Sequence, residues 1–360
     1  MDVGKLPHDL LATLLDRVHV RDPRVLVGPG IGRDAAVIDT GGPLLLVAKS
    51  DPITFANDMI GWYAVHVNAN DIACTGARPE WLLATLLLPE DAKPELAESV
   101  FGQLVEACDA LEIELVGGHT EISAGLKRPF VIGAMLGQVE RDRLVRPDGG
   151  RAGDALLLTK GIAIEGTGLL AREAPGRLAR LGVSQEDLQN AADYILDPGI
   201  TVLKEAMAVC DTVRVHAMHD PTEGGLATAL YEMAEANDCG ILVDEDAVDV
   251  LPLTRTLCRA AALDPMGLLA SGALLVAVAE KDCERALEAI DSTGVAARRI
   301  GSLVREGQPT APPRAEVMVI MEGKHGRRPL PHFPRDEVAR FLTQPDVRRS
   351  HSGRAEAQDY

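Results

Sequence analysis

Aromatic residues are scarce in this chain: five Phe, four Tyr and two Trp make up 3% of it. So few rings exclude the stacking platforms on which single-stranded nucleic acids are held, and leave Ala, Leu, Val and Ile to build the core. Basic residues are also in deficit, with 36 Lys and Arg against 54 Asp and Glu and a formal charge of −18. That balance argues against nucleic acid as the main partner, because phosphate backbones need basic surface, and against docking on an anionic membrane. A nucleotide remains compatible, because a divalent cation can bridge carboxylates to phosphates. The longest apolar stretches, such as Trp81–Pro89 and Ala273–Ala279, fall short of the ~20 residues that span a bilayer. The N-terminus carries Asp2, Asp9 and Asp16 and lacks a signal-peptide core. The six cysteines are scattered without a C-x-x-C pair, which excludes a zinc ribbon and points to a reduced, cytoplasmic protein.

What is present is ample apolar material, 46% of 360 residues, enough for about two domains. Apolar spacing predicts helices over Leu6–Val20, Trp62–Thr75 and Pro94–Leu111, and strands over Ala35–Asp39, Leu44–Ser50, Glu80–Leu88, Glu112–Val116 and Phe130–Val139. Asp148-Gly149-Gly150 and Gly153-Asp154 mark a boundary. Residues 1–150 are therefore expected to form one α+β domain, 151–330 a second, and 331–360 a terminal helix and polar tail. In the second half, helices are predicted around Thr167–Arg172, Gln185–Tyr194, Ile200–Cys210, Asp220–Ala236 and Lys281–Thr293, with strands at Thr212–Met218 and Gly272–Ala279.

Several polar constellations stand out. Gly28-Pro-Gly-Ile-Gly-Arg-Asp-Ala-Ala-Val-Ile38 has the glycine spacing of a dinucleotide loop, but such glycines follow a strand and open a helix, whereas these precede a strand. Asp34 thus stands at a turn–strand junction, either closing the turn or holding a metal. Asp51, in Lys49-Ser50-Asp51, emerges at the end of a strand, where ligands gather or a loop simply begins. His66-Val-Asn-Ala-Asn-Asp71 places polar groups inside an apolar helix; His66 and Asn70 share one face, Val67 and Asp71 the next. Buried dry and unpaired they are costly, so they line a site or cap nearby backbone. In Gly117-Gly118-His119-Thr120-Glu121, paired glycines make a plain turn or expose N–H groups to an anion. Asp220-Pro221-Thr222-Glu223 reads as a helix start, with Asp220 at the N-cap. Gly224 and Gly225 would then weaken the first turns by ~1 kcal/mol each, which points to close approach of another strand or of an anion such as phosphate. His216, His219 and Asp220 would make a metal set only if the strand broke, because on a continuous strand the two histidines face opposite ways.

Taken in order, Gly32-Arg-Asp-Ala-Ala-Val-Ile38, Ser50-Asp51, Asn70-Asp-Ile-Ala-Cys-Thr-Gly-Ala-Arg-Pro79, Gly117-Gly118-x-Thr120 and Asp220-Pro-Thr-Glu-Gly-Gly-Leu226 resemble the aminoimidazole-ribonucleotide-synthetase-like ATP-binding superfamily, from Gly28 to Leu303. Lys160-Gly-Ile-Ala-Ile-Glu-Gly-Thr167 resembles its hydrogenase-maturation branch. The resemblance implies an α+β fold of two domains: an N-terminal domain that pairs across a homodimer into a β-barrel-like core, and a C-terminal α/β sandwich. It implies ATP with Mg2+ bound between subunits, and phosphoryl transfer to a small acceptor, often to an amide-type oxygen that is then lost. Asp34, Asp51 and Asp71 would be the magnesium ligands. Gly117, Gly118 and Thr120 would lie along the phosphates, with Asn70 beside the cofactor. Asp220, Gly224 and Gly225 would face nucleotide or acceptor from the second domain. Asp71, Asp220 and Lys49 would serve the chemistry, with Lys49 or Lys160 neutralising phosphate charge, since phosphoryl transfer asks chiefly for positioning and charge neutralisation.

Some positions depart from the superfamily pattern. Arg33 stands where an acidic pair is usual, and His119 where an acid precedes the threonine, with Glu121 nearby to compensate; both imply a smaller complement of magnesium ligands. The last cysteine is Cys283, whereas the hydrogenase-maturation enzyme uses a C-terminal cysteine as carrier, so the expectation is related chemistry without that carrier. A non-catalytic dimeric homologue serving as a scaffold, and a thiamine-monophosphate kinase, are the alternatives.

Overall fold

The computed structural model describes residues 4–305, 319–324 and 326–344; the polar tail expected at Pro345–Tyr360 lies outside them. The first half runs α1 (His8–Leu15), β1 (Val25–Val27), β2 (Ala36–Asp39), β3 (Leu44–Ile53), α2 (Ile60–Cys74), β4 (Arg78–Leu88), α3 (Pro94–Leu111), β5 (Glu114–Ile122) and β6 (Phe130–Glu140). The second half opens with β7 (Asp154–Thr159), α4 (Ile164–Glu173), α5 (Pro175–Arg180), α6 (Gln185–Ala192), α7 (Leu203–Thr212), β8 (Val215–His219) and α8 (Gly225–Ala236). It continues with β9 (Gly240–Asp244), α9 (Pro252–Ala261), β10 (Leu275–Ala279), α10 (Cys283–Asp291), β11 (Ala297–Val304), β12 (Val319–Gly323), β13 (Gly326–Pro329) and α11 (Glu337–Thr343).

Among the described residues the strands form two sheets. One is six-stranded in the order β1-β2-β3-β6-β4-β5, the other seven-stranded in the order β13-β12-β9-β11-β7-β10-β8. The first is antiparallel except for the β4–β5 pair. Within one chain it is open, and its outer strand β5 has one partner; the barrel-like core was expected only from two such domains paired across a dimer. The α+β class holds, and the hairpin foreseen around Gly41-Gly42-Pro43 is the antiparallel pair β2–β3.

Alternation decides which face of this sheet is inside. Leu45, Val47, Val131, Met135 and Val139 are buried, while Leu46, Ile132 and Leu136 on the opposite face are only half-buried. The buried face lies under α2. Two glycines of β6 let the helix come close. A Cβ at Gly137 would run into Ile72, and one at Gly133 would run into the Asn68 amide. From Tyr63 to Cys74 every residue of α2 is buried, because the helix also packs on α3, α7 and β8. Asn70 ties it to the second half. Its Nδ2 donates to the Ile200 carbonyl at 2.8 Å and its Oδ1 accepts from the Val202 N–H at 2.9 Å.

Two local expectations are corrected. The glycine pair 117–118 does not turn the chain; it lies within β5, with Gly118 opposite Ala84. Gly118 has φ +149°, and a Cβ there would collide with the Ala84 carbonyl. The helix expected from Asp220 begins at Gly225, with Gly224 as its N-cap at φ +86°. Glycines at φ +86° and +67° break the helical path, so Asp220 sits at the end of β8 instead of capping a helix.

Asn70→Ala leaves both backbone groups of the 200–202 turn without partners in a dry setting, each costing ~1–3 kcal/mol. Chemical denaturation is expected to show a loss of ~2–5 kcal/mol on that basis, with little change in far-ultraviolet circular dichroism.

Candidate active site

Lys49, Asp51 and Asp71 meet between β3 and α2. Strand periodicity puts Lys49 and Asp51 on the same face as Val47, the face covered by α2. Lys49 Nζ lies 3.0 Å from Asp71 Oδ2 and 3.6 Å from Asp51 Oδ2. Asp51 is held by Asn68, whose Oδ1 accepts from the Asp51 N–H at 2.9 Å and whose Nδ2 donates to the Asp51 and Ala64 carbonyls. Gly133, directly opposite Asp51 in the ladder, leaves room for that amide. Exposure falls steeply across the group: the Asp51 side chain is 38% exposed and that of Asp71 4%.

The second domain adds Asp220 and His219. Donor atoms of Asp34, His219 and Asp220 all lie within 4.8 Å of one another. His219 Nδ1 is 3.0 Å from Asp34 Oδ2, and its Nε2 is 2.9 Å from Glu232 Oε2. Asp220 Oδ1 accepts from the Cys74 thiol at 3.6 Å, but Asp220 Oδ2 is buried without a hydrogen-bond partner. Lys5 crosses from the N-terminal segment, its N–H donating to Glu223 at 2.6 Å and its ammonium lying 3.4 Å from Glu232.

The electrostatics show crowding. Burial disfavours the Lys49 ammonium, yet Asp71, Asp51 and Asp34 outweigh it and hold Lys49 above the ordinary lysine range. Burial drives the Asp71 carboxyl well up; Lys49 opposes this, while Asp220, Asp34 and Asp51 add to it. Asp220 is pushed up to about 7 by burial and then by Asp34. Burial acts against the His219 imidazolium, but Asp34 and Glu232 raise it well above the usual histidine value. Glu232 is lowered to about 2: His219 and Lys5 outweigh its burial. Such a concentration of negative charge around one lysine asks for a cation.

The remaining expected residues lie elsewhere. Lys160 Nζ is 2.5 Å from the Thr201 carbonyl, 2.9 Å from that of Gly272 and 2.8 Å from Glu205 Oε1. An ammonium has three donors, so none is left for a phosphate. The Gly224 N–H donates to Asp336 Oδ2 at 2.7 Å, and a Cβ at Gly225 would strike the backbone of Met266 and Leu268. The close approach foreseen at this glycine pair is made by the chain itself. Gly118, Ala84, Gly133 and Asp51 occupy one row across β5, β4, β6 and β3. Three strand spacings put Gly118 ~14 Å from Asp51, so Gly117, Gly118 and Thr120 do not join the carboxylates within one chain. Arg33 donates to the Gly28 carbonyl at 3.2 Å, and His119 pairs with Glu121 at 3.0 Å on β5. His66 stacks on Trp62 and bonds its carbonyl at 2.9 Å; burial lowers it to about 4, so it is neutral in the core. His216 pairs with Asp154, not with His219.

Sequence reasoning missed Asn68, Gly133 and Glu232. Asn68 lies within the polar string of α2, which was its only signal; the other two carry no local signal.

Family models for AIR synthase related proteins match twice: the N-terminal domain over residues 32–139 and the C-terminal domain over residues 151–311. The chain belongs to the AIR synthase related family. Within that family it is similar to carbamoyl dehydratase HypE of Cupriavidus necator, 31% identical over 293 residues, which are 77% of this chain and 78% of that protein. The crystal structure of hydrogenase maturation protein HypE superposes with a TM-score of 0.68 at 28% identity, covering 90% of this chain and 97% of that one. A HypE structure in complex with ATP gives 0.65 at 27%, covering 89% and 92%. In this chain the acidic cluster lies where α2 meets β8, with residues from the segments that both family models match.

Two further buried carboxyls set a pH dependence. Burial pushes Glu165 up to about 7, aided by Asp336 and Asp220, and burial pushes Asp336 up to about 7 against the N–H bonds of Gly224 and Val338. Both pKa values are higher in the folded than in the unfolded state. Their stabilising protonation is complete below the unfolded value and is lost as pH rises through about 7. Thermal unfolding is expected to show falling stability from about pH 5 to about pH 8, and Asp336→Asn, which removes the titrating carboxyl at the loss of one of its two accepted N–H bonds, to flatten that slope.

Proposed function

We propose that the chain is an ATP- and magnesium-dependent enzyme with chemistry like that of the carbamoyl dehydratases it resembles: phosphoryl transfer to an amide-type oxygen of a small acceptor, which then leaves with the phosphate. The convergence of Asp34, Asp51, Asp71 and Asp220 on Lys49 carries this reading. The buried Asp220 Oδ2, which has no hydrogen-bond partner, fits a cation, and an all-carboxylate set suits magnesium.

Asp34, Asp51 and Asp71 would hold that ion, which when bound neutralises phosphate charge and polarises the phosphorus under attack. Lys49 lies between Asp51 and Asp71, placed to share phosphate charge while keeping both carboxylates oriented. Attack of the acceptor oxygen on phosphorus breaks the bridging P–O bond, whose electrons leave with the nucleotide. Asp51 is the solvent-facing entrance to the group, and Asn68 fixes its backbone.

A homodimer supplies the rest of the reading. The half-buried outer face of the first sheet carries Leu46, Ile132 and Leu136, and Leu83, Val116 and Ile122 are exposed on β4 and β5. A face this apolar next to a strand with one open edge is a pairing surface. With β5 at that boundary, Gly117, Gly118 and Thr120 would approach a nucleotide held between subunits.

Asp71→Asn, with shape kept and charge removed, is expected to weaken magnesium-dependent binding of a non-hydrolysable ATP analogue by ~100-fold or more, read by calorimetry. Unchanged affinity in a folded variant would remove the proposed role of the cluster. Ile122→Glu is expected to convert the dimer to monomer in analytical ultracentrifugation; a dimer that persists unweakened would place the subunit boundary elsewhere.

A further inference from the structure

We propose that Asp34, His219 and Asp220 form a mixed nitrogen–oxygen metal site that takes a divalent transition ion of the manganese-to-zinc series in preference to magnesium. The inference deepens the reading above, because Asp34 and Asp220 are shared with it, and it makes His219 the residue that sets metal choice.

The geometry around His219 carries the argument. One imidazole nitrogen, Nδ1, faces Asp34 Oδ2 at 3.0 Å; the other, Nε2, faces Glu232 Oε2 at 2.9 Å. A histidine that ligates a metal typically donates its remaining ring N–H to a carboxylate, which fixes the tautomer and turns the lone pair of the other nitrogen toward the ion. Glu232 occupies that supporting position, and it is itself pinned by the Lys5 ammonium at 3.4 Å. The Nδ1–Oδ2 contact is a hydrogen bond from the imidazolium; an ion that replaced the Nδ1 proton would meet two donors ~3.0 Å apart, the spacing of ligands each ~2.1 Å from a metal and at right angles. Asp220 completes the set from the next position in the chain. It is 1% exposed, and its Oδ2 has no hydrogen-bond partner. An unpaired carboxylate oxygen in so dry a place is costly unless a cation meets it. The site also differs in kind from the Lys49–Asp51–Asp71 side of the cluster, which offers oxygen alone. An imidazole ligand favours the later first-row ions, whereas magnesium prefers oxygen and keeps its waters.

The test uses the full chain without nucleotide and Co2+ as probe, because its visible absorption reports ligand type and geometry. Co2+ is expected to bind at about one equivalent with d–d bands of nitrogen–oxygen ligation, and at least ~10-fold more tightly than Mg2+. His219→Gln is expected to abolish those bands and to weaken Co2+ by at least ~10-fold, and Glu232→Gln to weaken it ~10–100-fold with the bands retained but shifted. Circular dichroism confirms that each variant is folded, and the two substitutions serve as checks on each other. Absent bands in the native chain, or bands unaltered in folded His219→Gln, overturn the site. Magnesium-dependent binding of the ATP analogue, measured in parallel on the native chain, separates the two readings. Its success without cobalt bands overturns only the histidine site, and its failure with cobalt bands present overturns only the nucleotide reading.

Discussion

Four carboxylates crowd one lysine where the two halves of this chain meet, and much of the architecture follows from keeping them there. Asp34 precedes β2, Asp51 lies two residues before the end of β3, Asp71 lies near the end of α2 and Asp220 follows β8. Left alone, such groups would repel one another or take up protons, because burial and like charge both disfavour ionisation. Lys49, 3.0 Å from Asp71 and 3.6 Å from Asp51, offsets part of that cost, and His219 offsets another part at Asp34. The rest is unfavourable charge held by the packing around it, an arrangement typical of a site that waits for a cation.

Helix α2 is the means of holding it. The helix is buried nearly all round, seated against β6 through Gly133 and Gly137 and tied to the 200–202 turn by both amide atoms of Asn70. Its polar residues divide the labour. Asn68 sets the backbone of Asp51, Asn70 locks the domains together, and Asp71 enters the charged group. A rigid element carrying all three roles holds donors from distant parts of the chain in register, which a loop would not do as well. The apolar outer face of the first sheet and the open edge of β5 lead outward from the same structure to the proposed subunit boundary.

Much of the fold was legible because it is written in local pattern. The spacing of Pro94–Leu111 marked α3 to the residue, and the β2–β3 hairpin followed from two apolar runs around Gly41-Gly42-Pro43. The polar string in α2 announced itself, since Asn70 and Asp71 have no business in an apolar helix without partners. Local pattern misled where tertiary contacts decide conformation. Gly117-Gly118 reads as a turn, yet the pair runs straight in an outer strand because only glycine fits beside the Ala84 carbonyl. Asp220 reads as an N-cap, yet Gly224 and Gly225 adopt positive φ and the helix starts after them. Lys160 reads as a free cation for phosphate, yet three backbone and side-chain acceptors consume it.

The sequence by itself determined the class of the fold, the positions of most elements of the first domain, and the chemical character of the candidate site: acids near strand ends and in one helix, few rings, more acids than bases. These are properties of periodicity and composition, carried by neighbours along the chain. The tertiary structure alone decided which of those acids meet. It brought Asp34 to His219 across 185 positions and Cys74 to Asp220 across 146, gave Glu232 a place behind His219, and kept Gly117 and Gly118 a sheet's width away from Asp51 within one chain. Contacts of that kind depend on strand order and on how a helix seats on a sheet, and no local spacing encodes either.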